Sequence, residues 1–412
     1  MTGRREFGLI TGADFVVRSA YQVGKTPLLP IFALSLGAGE VFLGVIVAVS
    51  TLTGMLLKPL FGILSDRCGR RLWLLVGTGF FAGMPFAYQF VASPEHLLMV
   101  RLLHGVATAI YGPVTLAYVA EMSPLNRAER IGWFSSARNA GYVIGPAVAG
   151  GMLLFMDPVT IFTMVGVVSA LAFLPVLLLP ETPRSSGRPR IPLLWHARQA
   201  LASVSRTPAV WLAGGLDAQF LVAKYAVKTF LPLQALSLGV SPVVVGLVLA
   251  AQESANMALS PLGGRVGDRI GYVKGVLVGM SSMAGALALM ALATDGPGML
   301  APAVLMGVAQ ALVFPSTIAL VSAQADEAHL GAGMGMIGTL KNTGKVVGPI
   351  AAGLLVHSVG FTSTLLVIAG LLLLASVAVW TRAGVPREIT EAGSRRPTSS
   401  PGASPGSPTT PV

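Results

Sequence analysis

The charged residues that fall inside apolar stretches are the ones whose types and spacing could do chemistry. At about 100° per residue, Asp14, Arg18, Tyr21 and Lys25 lie within about 60° of one another on a helix. Asp217, Lys224 and Lys228 make a narrower stripe, and Lys341 and Lys345 share a face. Glu253 has Gln252 and Asn256 nearby, and Arg101 and Arg138 interrupt other apolar runs. A Lys or Arg near the centre of a membrane-spanning helix costs about 2.5–3.5 kcal/mol. Several of them together therefore predict a water-filled cavity that binds a small molecule. Bases outnumber acids among these residues, so the cavity should be net positive and should favour a carboxylate, a phosphate or a lipid headgroup over a cation. The other arrangement open to these bases is pairing with helix ends or buried acids, as Arg18 could pair with Asp14 one turn away. Glu253 is the first candidate for a proton carrier, with Asp14 and Asp217 next. Burial favours a protonated carboxyl and a nearby lysine favours the ionised one, so a change of surroundings can load and release a proton. Arg101 can bias such a group but cannot itself give up a proton.

The elements that must position these residues are spanning helices. Apolar residues make up 53% of the 412-residue chain and charged residues 11%, and mean hydropathy is +0.74. Apolar runs of roughly 20 residues or more follow one another at 10–36, 41–64, 72–91, 96–121, 131–155, 159–180, 209–238, 242–266, 273–294, 298–324, 329–357 and 361–382. The expected fold is an all-α membrane protein of twelve transmembrane helices. Net charge is +11, but most bases lie in the tails and even-numbered connections. The opposite connections carry Glu40, Glu95, Asp157 and Asp295 and no Lys or Arg. That distribution places both termini in the cytoplasm and argues against a nucleic-acid partner.

The chain is duplicated. Gly62-Ile63-Leu64-Ser65-Asp66-Arg67-Cys68-Gly69-Arg70-Arg71 returns about 200 residues later as Gly264-Arg265-Val266-Gly267-Asp268-Arg269-Ile270-Gly271. Similar offsets match Asp14 to Asp217, Lys25-Thr26 to Lys228-Thr229, Gly44 to Gly246, and Arg138 to Lys341. Six helices repeated in the same order give parallel halves related by an axis along the membrane normal, with a cavity between them. The expected division is an N-terminal six-helix bundle over 1–180, a cytoplasmic linker over 181–208, a C-terminal six-helix bundle over 209–386 and a disordered tail over 387–412. Within the linker, Ile191 to His196 could lie along the membrane surface or belong to a solvated basic connection.

The run from Gly62 to Arg71 resembles the loop signature between helices two and three of the major facilitator superfamily, and the resemblance extends to about residue 386. Gly62 should permit close helix approach and Gly69 a tight turn. Asp66 sits at a helix end, where it could pair with Arg67 or Arg70. The resemblance implies a gating loop of Gly62, Asp66, Arg67, Gly69, Arg70 and Arg71 that holds the cytoplasmic side shut, echoed by Gly264, Asp268 and Arg269. A second motif, Gly141, Gly145, Pro146 and Gly150 in helix five, is similar to the signature of the twelve-helix drug:proton antiporter group. Its glycine spacing by itself asks only for close helix packing. Arg101-Leu102-Leu103-His104-Gly105 resembles the helix-four signature whose buried Arg is linked to proton transfer, with His104 departing from the usual polar residue.

The resemblance implies a proton-coupled exporter of small amphipathic molecules that works by alternating access in the plasma membrane. The cavity's excess of lysine raises the alternative of a carrier or exchanger of an anionic metabolite or lipid-like substrate. A transport-inactive receptor is the alternative outside transport. No nucleophile–base pair, phosphate loop or metal-ligand spacing points to an enzyme, a metal or a cofactor, and the proton gradient is the expected energy source. Cys68 is the sole cysteine, so no disulfide framework is expected. A monomer in the lipid bilayer is the expected state.

Overall fold

The computed structural model describes residues 2–122, 127–181, 208–324 and 330–382, and every regular element among them is helical. The Ile191 to His196 segment and the tail after 387 lie outside the described residues. The first bundle contains α1 (Thr2–Lys25), α2 (Leu28–Ser35), α3 (Glu40–Cys68), α4 (Arg70–Gly83), a 3-10 turn (Met84–Phe90), α5 (Pro94–Glu121), α6 (Arg127–Met152), α7 (Pro158–Ala170) and α8 (Phe173–Leu177). The second contains α9 (Pro208–Ser237), α10 (Pro242–Ile270), α11 (Tyr272–Leu292), α12 (Gly296–Gln324) and α13 (Leu330–Arg382). Twelve membrane crossings result because α1 with α2, α4 with the 3-10 turn, and α7 with α8 each make one. Conversely, α13 makes two, bent at Gly360 (φ 80°).

Seven of the described helical stretches, one of them α7 together with α8, are long and apolar enough to cross a membrane. The others fall short for reasons tied to the site. Charges are embedded in α1, α6 and α9, and α4 is short and continues as a 3-10 turn. Outward-facing side chains such as Leu56, Phe90, Phe155, Leu292 and Leu374 are exposed, as lipid contact requires.

The duplication is visible in the backbone. Gly37 and Gly239 both adopt positive φ after the first crossing of their bundle, as do Gly69 and Gly271 after the second. Only glycine takes this conformation without strain. At Gly62, by contrast, an added Cβ would meet nothing within 4 Å, so the close approach expected there is absent. Close approach occurs instead deeper in the bundles, where Gly105 of α5 faces Ser50 and Thr53 of α3, and its repeat mate Gly307 of α12 faces Gln252 and Ala255 of α10.

The terminal face, where α1 begins and α13 ends, differs from the opposite face. Close packing between the bundles joins α3 to α13 and α6 to α10. The contacts are backbone to backbone: Gly44 lies on Pro349 and Ile350, and its repeat mate Gly246 lies on Pro146 and Gly150. Gly353 likewise lies on Glu40 and Val41. All of these residues are at the helix ends toward the opposite face, which is therefore closed. An exposed His357–Glu40 pair (3.4 Å) spans the same seam.

Candidate functional site

Below that closure a cavity of about 650 Å³ lies between the bundles. Arg138, Asn139 and Tyr142 of α6 line one side. Lys224 and Tyr225 of α9, Glu253, Asn256 and Met257 of α10, Gln310 and Phe314 of α12, and Lys345 of α13 line the rest. In its wall one oxygen, Glu253 Oε1, receives both Lys224 Nζ at 2.9 Å and Lys228 Nζ at 2.7 Å. Lys224 also donates to Gln310 Oε1. The spacing of α9 explains this, since residues four apart stack on one face and reach the same point on the neighbouring helix.

The remaining acids anchor bases inside each bundle. Asp14, 1% exposed, accepts from Arg138 Nε and Nη2, both at 2.9 Å, a bidentate geometry only arginine provides. Arg18 Nε sits 3.6 Å away on the same carboxylate, and Arg138 also donates to Thr115 Oγ1 at 3.0 Å. The second bundle repeats this with a lysine. Lys341 Nζ lies 2.9 Å from Asp217, and the Thr317 hydroxyl donates to the same carboxylate at 3.0 Å. Lys341 also stands 4.3 Å above the Phe314 ring. Each bundle thus ties its first, fourth and fifth helices together through an acid, a base and a threonine.

Removing either acid strands a buried cation. Asp14→Asn is expected to destabilise the protein by about 3–5 kcal/mol, because two guanidinium groups lose their shared carboxylate. A thermal unfolding midpoint in detergent equal to that of the parent would show that the pair does not hold the bundle.

The structure places the expected cavity residues at three depths. Lys224, Asn256 and Lys345 line the cavity itself. Lys25 and Lys228 line a small recess above it, toward the closed face. Asp14 and Asp217 are buried behind the wall rather than on it, and Arg18 is occupied by Asp14. Tyr21 is packed edge-on against Phe81 and His104 inside the first bundle, so its placement in the cavity is corrected. Arg101 is also away from the cavity. It is 1% exposed, donates to Ser50 Oγ and lies 3.5 Å from Tyr88 Oη, tying α5 to α3 and the 3-10 turn. His104 stands beside the same tyrosine, Nδ1 at 3.4 Å from its hydroxyl.

Among the described residues no carboxylate lies within ion-pair distance of Lys25, Lys58 or Lys345. The cavity therefore keeps an excess of positive charge, and the arrangement in which every base is paired with an acid does not hold there. Lys58 does not reach away from the bundle. Its Cε lies beside Gly112 of α5, where the Arg18 guanidinium also arrives. Sequence reasoning missed Tyr142, Tyr225, Gln310, Phe314, Thr115 and Thr317. The signals available were Tyr142 one turn beyond Arg138, and Gln310, Phe314 and Thr317 along one face of α12.

The loop after α3 pairs within its own bundle. Arg70 binds Asp66 at 2.8 Å and donates through Nε to Glu121 Oε2 at 2.7 Å. Arg71 donates through its backbone N–H to Glu181 Oε1 at 3.2 Å and through its guanidinium to the Leu177 carbonyl at 2.6 Å. These contacts fasten α3, α4, α5 and the end of the sixth crossing to one another. In the helix-five motif, Gly141 and Gly145 seat α6 against Ser19 and Gln22 of α1, whereas Pro146 and Gly150 meet α10 across the bundle interface.

Two pseudo-symmetric six-helix bundles around a charged cavity, shut at one face, define a multi-pass membrane carrier. The chain belongs to the Major Facilitator Superfamily, whose profile it matches over residues 19–233 and 219–409. It is therefore a transporter of small molecules and not an enzyme. It is 23% identical to the uncharacterized MFS-type transporter MJ1560 of Methanocaldococcus jannaschii, over 82% of this chain and 88% of the relative. It is also 27% identical to the quinolone resistance protein NorA of Staphylococcus aureus, over 39% of this chain and 41% of NorA. Among solved structures, the nucleoside transporter NupG superposes with a TM-score of 0.75 at 14% identity, over 91% of this chain and 98% of NupG. A bacterial homolog of the human lysosomal transporter Spinster, inward-facing and unoccupied, gives 0.69 at 16% identity, over 94% and 96%.

Proposed function

We propose that this protein carries a small amphipathic molecule bearing negative charge, by alternating access across the plasma membrane. The observation that supports this reading is the cavity's unbalanced charge: among the described residues no carboxylate lies within ion-pair distance of Lys25 or Lys345, and Lys224 and Lys228 share one oxygen. Tyr142, Met257 and Phe314 give the same cavity apolar and aromatic wall for the rest of the molecule. The transporters whose folds match include one for nucleosides, so the fold alone selects no cargo. The basic connections on the terminal face support a cytoplasmic assignment for that face, for both termini and for the 181–208 linker. On that assignment the cavity is open to the inside, and the protein works as a monomer with one bundle for each half of the rocking motion.

Proton-coupled export is a second reading, favoured by the partial similarity to NorA and by the glycine motif of α6. Glu253 is the group to couple it. Protonation there would release Lys224 and Lys228 together, so cargo affinity and proton occupancy would be linked.

The test is charge selectivity in purified protein. Benzoate and phenyl phosphate are expected to raise the unfolding midpoint at millimolar concentration, and tetraphenylphosphonium is not. Stabilisation by the cation alone would refute an anionic cargo. Counterflow of labelled benzoate in proteoliposomes then separates a carrier from a transport-inactive receptor, which would bind without flux.

A further inference from the structure

Arg18 and Lys58 come together at Gly112 of α5, in the half of the first bundle nearer the terminal face. From the place a Gly112 Cβ would take, Lys58 Cε is 3.7 Å away and Arg18 Nη2 3.8 Å, so both side chains border a space that a larger residue would fill. Neither base has an acid of its own. Among the described residues no carboxylate lies within ion-pair distance of Lys58. Arg18 Nε is 3.6 Å from Asp14 and makes no hydrogen bond, while Arg138 takes both oxygens of that carboxylate. Lys58 is also the charge that acts most strongly on Lys345 across the bundle interface, which sets its ammonium toward the cavity. The repeat gives this corner its meaning. At the offsets that match Asp14 to Asp217 and Gly105 to Gly307, the mates of Arg18, Lys58 and Gly112 are Leu221, Ser260 and Phe314. All three mates line the cavity. Where the second bundle presents a leucine and a ring, the first therefore presents two cations around a gap.

We infer that Arg18 and Lys58 form an anion seat belonging to the first bundle alone, off the axis and away from the closed face. It takes the single carboxylate or phosphate of a cargo whose apolar body lies against Leu221 and Phe314 of the second bundle. The inference rests on the anionic-cargo reading above and adds the cargo's orientation to it. Arg18 offers a planar fork to two oxygens and Lys58 a point charge, and an anion between them supplies the acceptors that both now lack. The gap at Gly112 leaves room for those oxygens. The second bundle offers an anion less at the matching place, because Lys341, 4.3 Å above the Phe314 ring, is already held by Asp217. That ring suits an aromatic or long-chain body instead. The charged end of the cargo should thus stay with one bundle and its apolar end with the other.

The test uses the full chain, purified, with benzoate and phenyl phosphate as probes in thermal-shift titrations. Lys58→Gln is expected to weaken the probes about tenfold, as one lost charged hydrogen bond does. Its unfolding midpoint without probe should not fall, because an unpaired cation has been removed. Lys58→Arg should restore binding to within about threefold of the parent. Gly112→Phe, which gives the first bundle the ring of the second, should fill the seat and weaken both probes at least about tenfold. Lys345→Gln should cost less than about threefold, which controls for general loss of positive charge. Loss with either probe in Lys58→Gln supports the seat, and the larger loss tells phosphate from carboxylate. Acetate, which has no apolar body, should bind at least about tenfold more weakly than benzoate, and equal binding would refute the role of Leu221 and Phe314. If the parent binds the probes and Lys58→Gln and Gly112→Phe bind them equally well, the seat is wrong while the anionic reading stands. If Lys58→Arg binds no better than Lys58→Gln, charge at this place is not what binds and the seat is refuted. If the parent binds neither probe, both readings fall.

Discussion

Glu253→Gln is expected to abolish proton-driven transport while leaving exchange of cargo intact. The carboxylate holds two ammonium groups through one oxygen, at 2.9 and 2.7 Å. Glutamine preserves the shape but can neither carry charge nor take up a proton, so it reproduces the protonated acid permanently. Lys224 and Lys228 lose their counter-ion at once and become available to an anion. Affinity for benzoate in the variant should therefore be about tenfold above the parent's at neutral pH. The check is lumenal pH in proteoliposomes given benzoate, alongside counterflow of the labelled probe. If the variant still moves protons as the parent does, Glu253 is not the carrier.

Gly246→Leu is expected to prevent closure of the opposite face. A Cβ at Gly246 already overlaps the Pro146 carbonyl and approaches Gly150 Cα at 3.1 Å, and backbone cannot yield as a side chain can. Overpacking of this kind costs about 1–3 kcal/mol, enough to move a near-balanced conformational equilibrium by about tenfold or more. The readout is maleimide labelling of a single cysteine at Asn256 in a Cys68→Ser background. Labelling from the terminal face should fall and labelling from the opposite face should rise, with transport largely lost. Gly44→Leu should behave alike, because Gly44 makes the repeat-equivalent contact with Pro349. Gly62→Leu is the control, since nothing lies within 4 Å of a Cβ there. Unchanged sidedness in Gly246→Leu would show that these seams do not set the conformation.

Apolar run length and the internal repeat made the twelve crossings and the two bundles legible, because both are properties of local sequence. Breaks inside crossings were not legible in the same way. The separation of α1 from α2 depends on packing against the rest of the bundle, whereas the break at Gly360 falls between the two apolar runs 329–357 and 361–382 that the sequence already separated. The charged residues of the site could be named from periodicity, but not who pairs with whom. Asp14 offered Arg18 one turn away, yet its tighter partner is Arg138, more than a hundred residues on. Arg101, named for its likeness to a buried arginine linked to proton transfer, is held by Ser50 and Tyr88, which its sequence neighbours do not foretell. A helix's azimuth within its bundle decides such cases, and one sequence carries little information about azimuth.

The seams at the opposite face have a consequence for how the carrier responds to its surroundings. They are formed largely by glycine and proline backbone, and among the described residues the one side-chain pair found across them is the exposed His357–Glu40 contact. Dispersion between close backbones is indifferent to ionic strength, whereas exposed charge pairs fade once salt shortens the Debye length below about 10 Å. The Arg70, Asp66 and Glu121 cluster belongs to the opposite physical regime. Salt should therefore loosen the terminal-face loops while leaving the far seam as tight as before, so that ionic conditions on one side of the membrane tune the machine and those on the other do not.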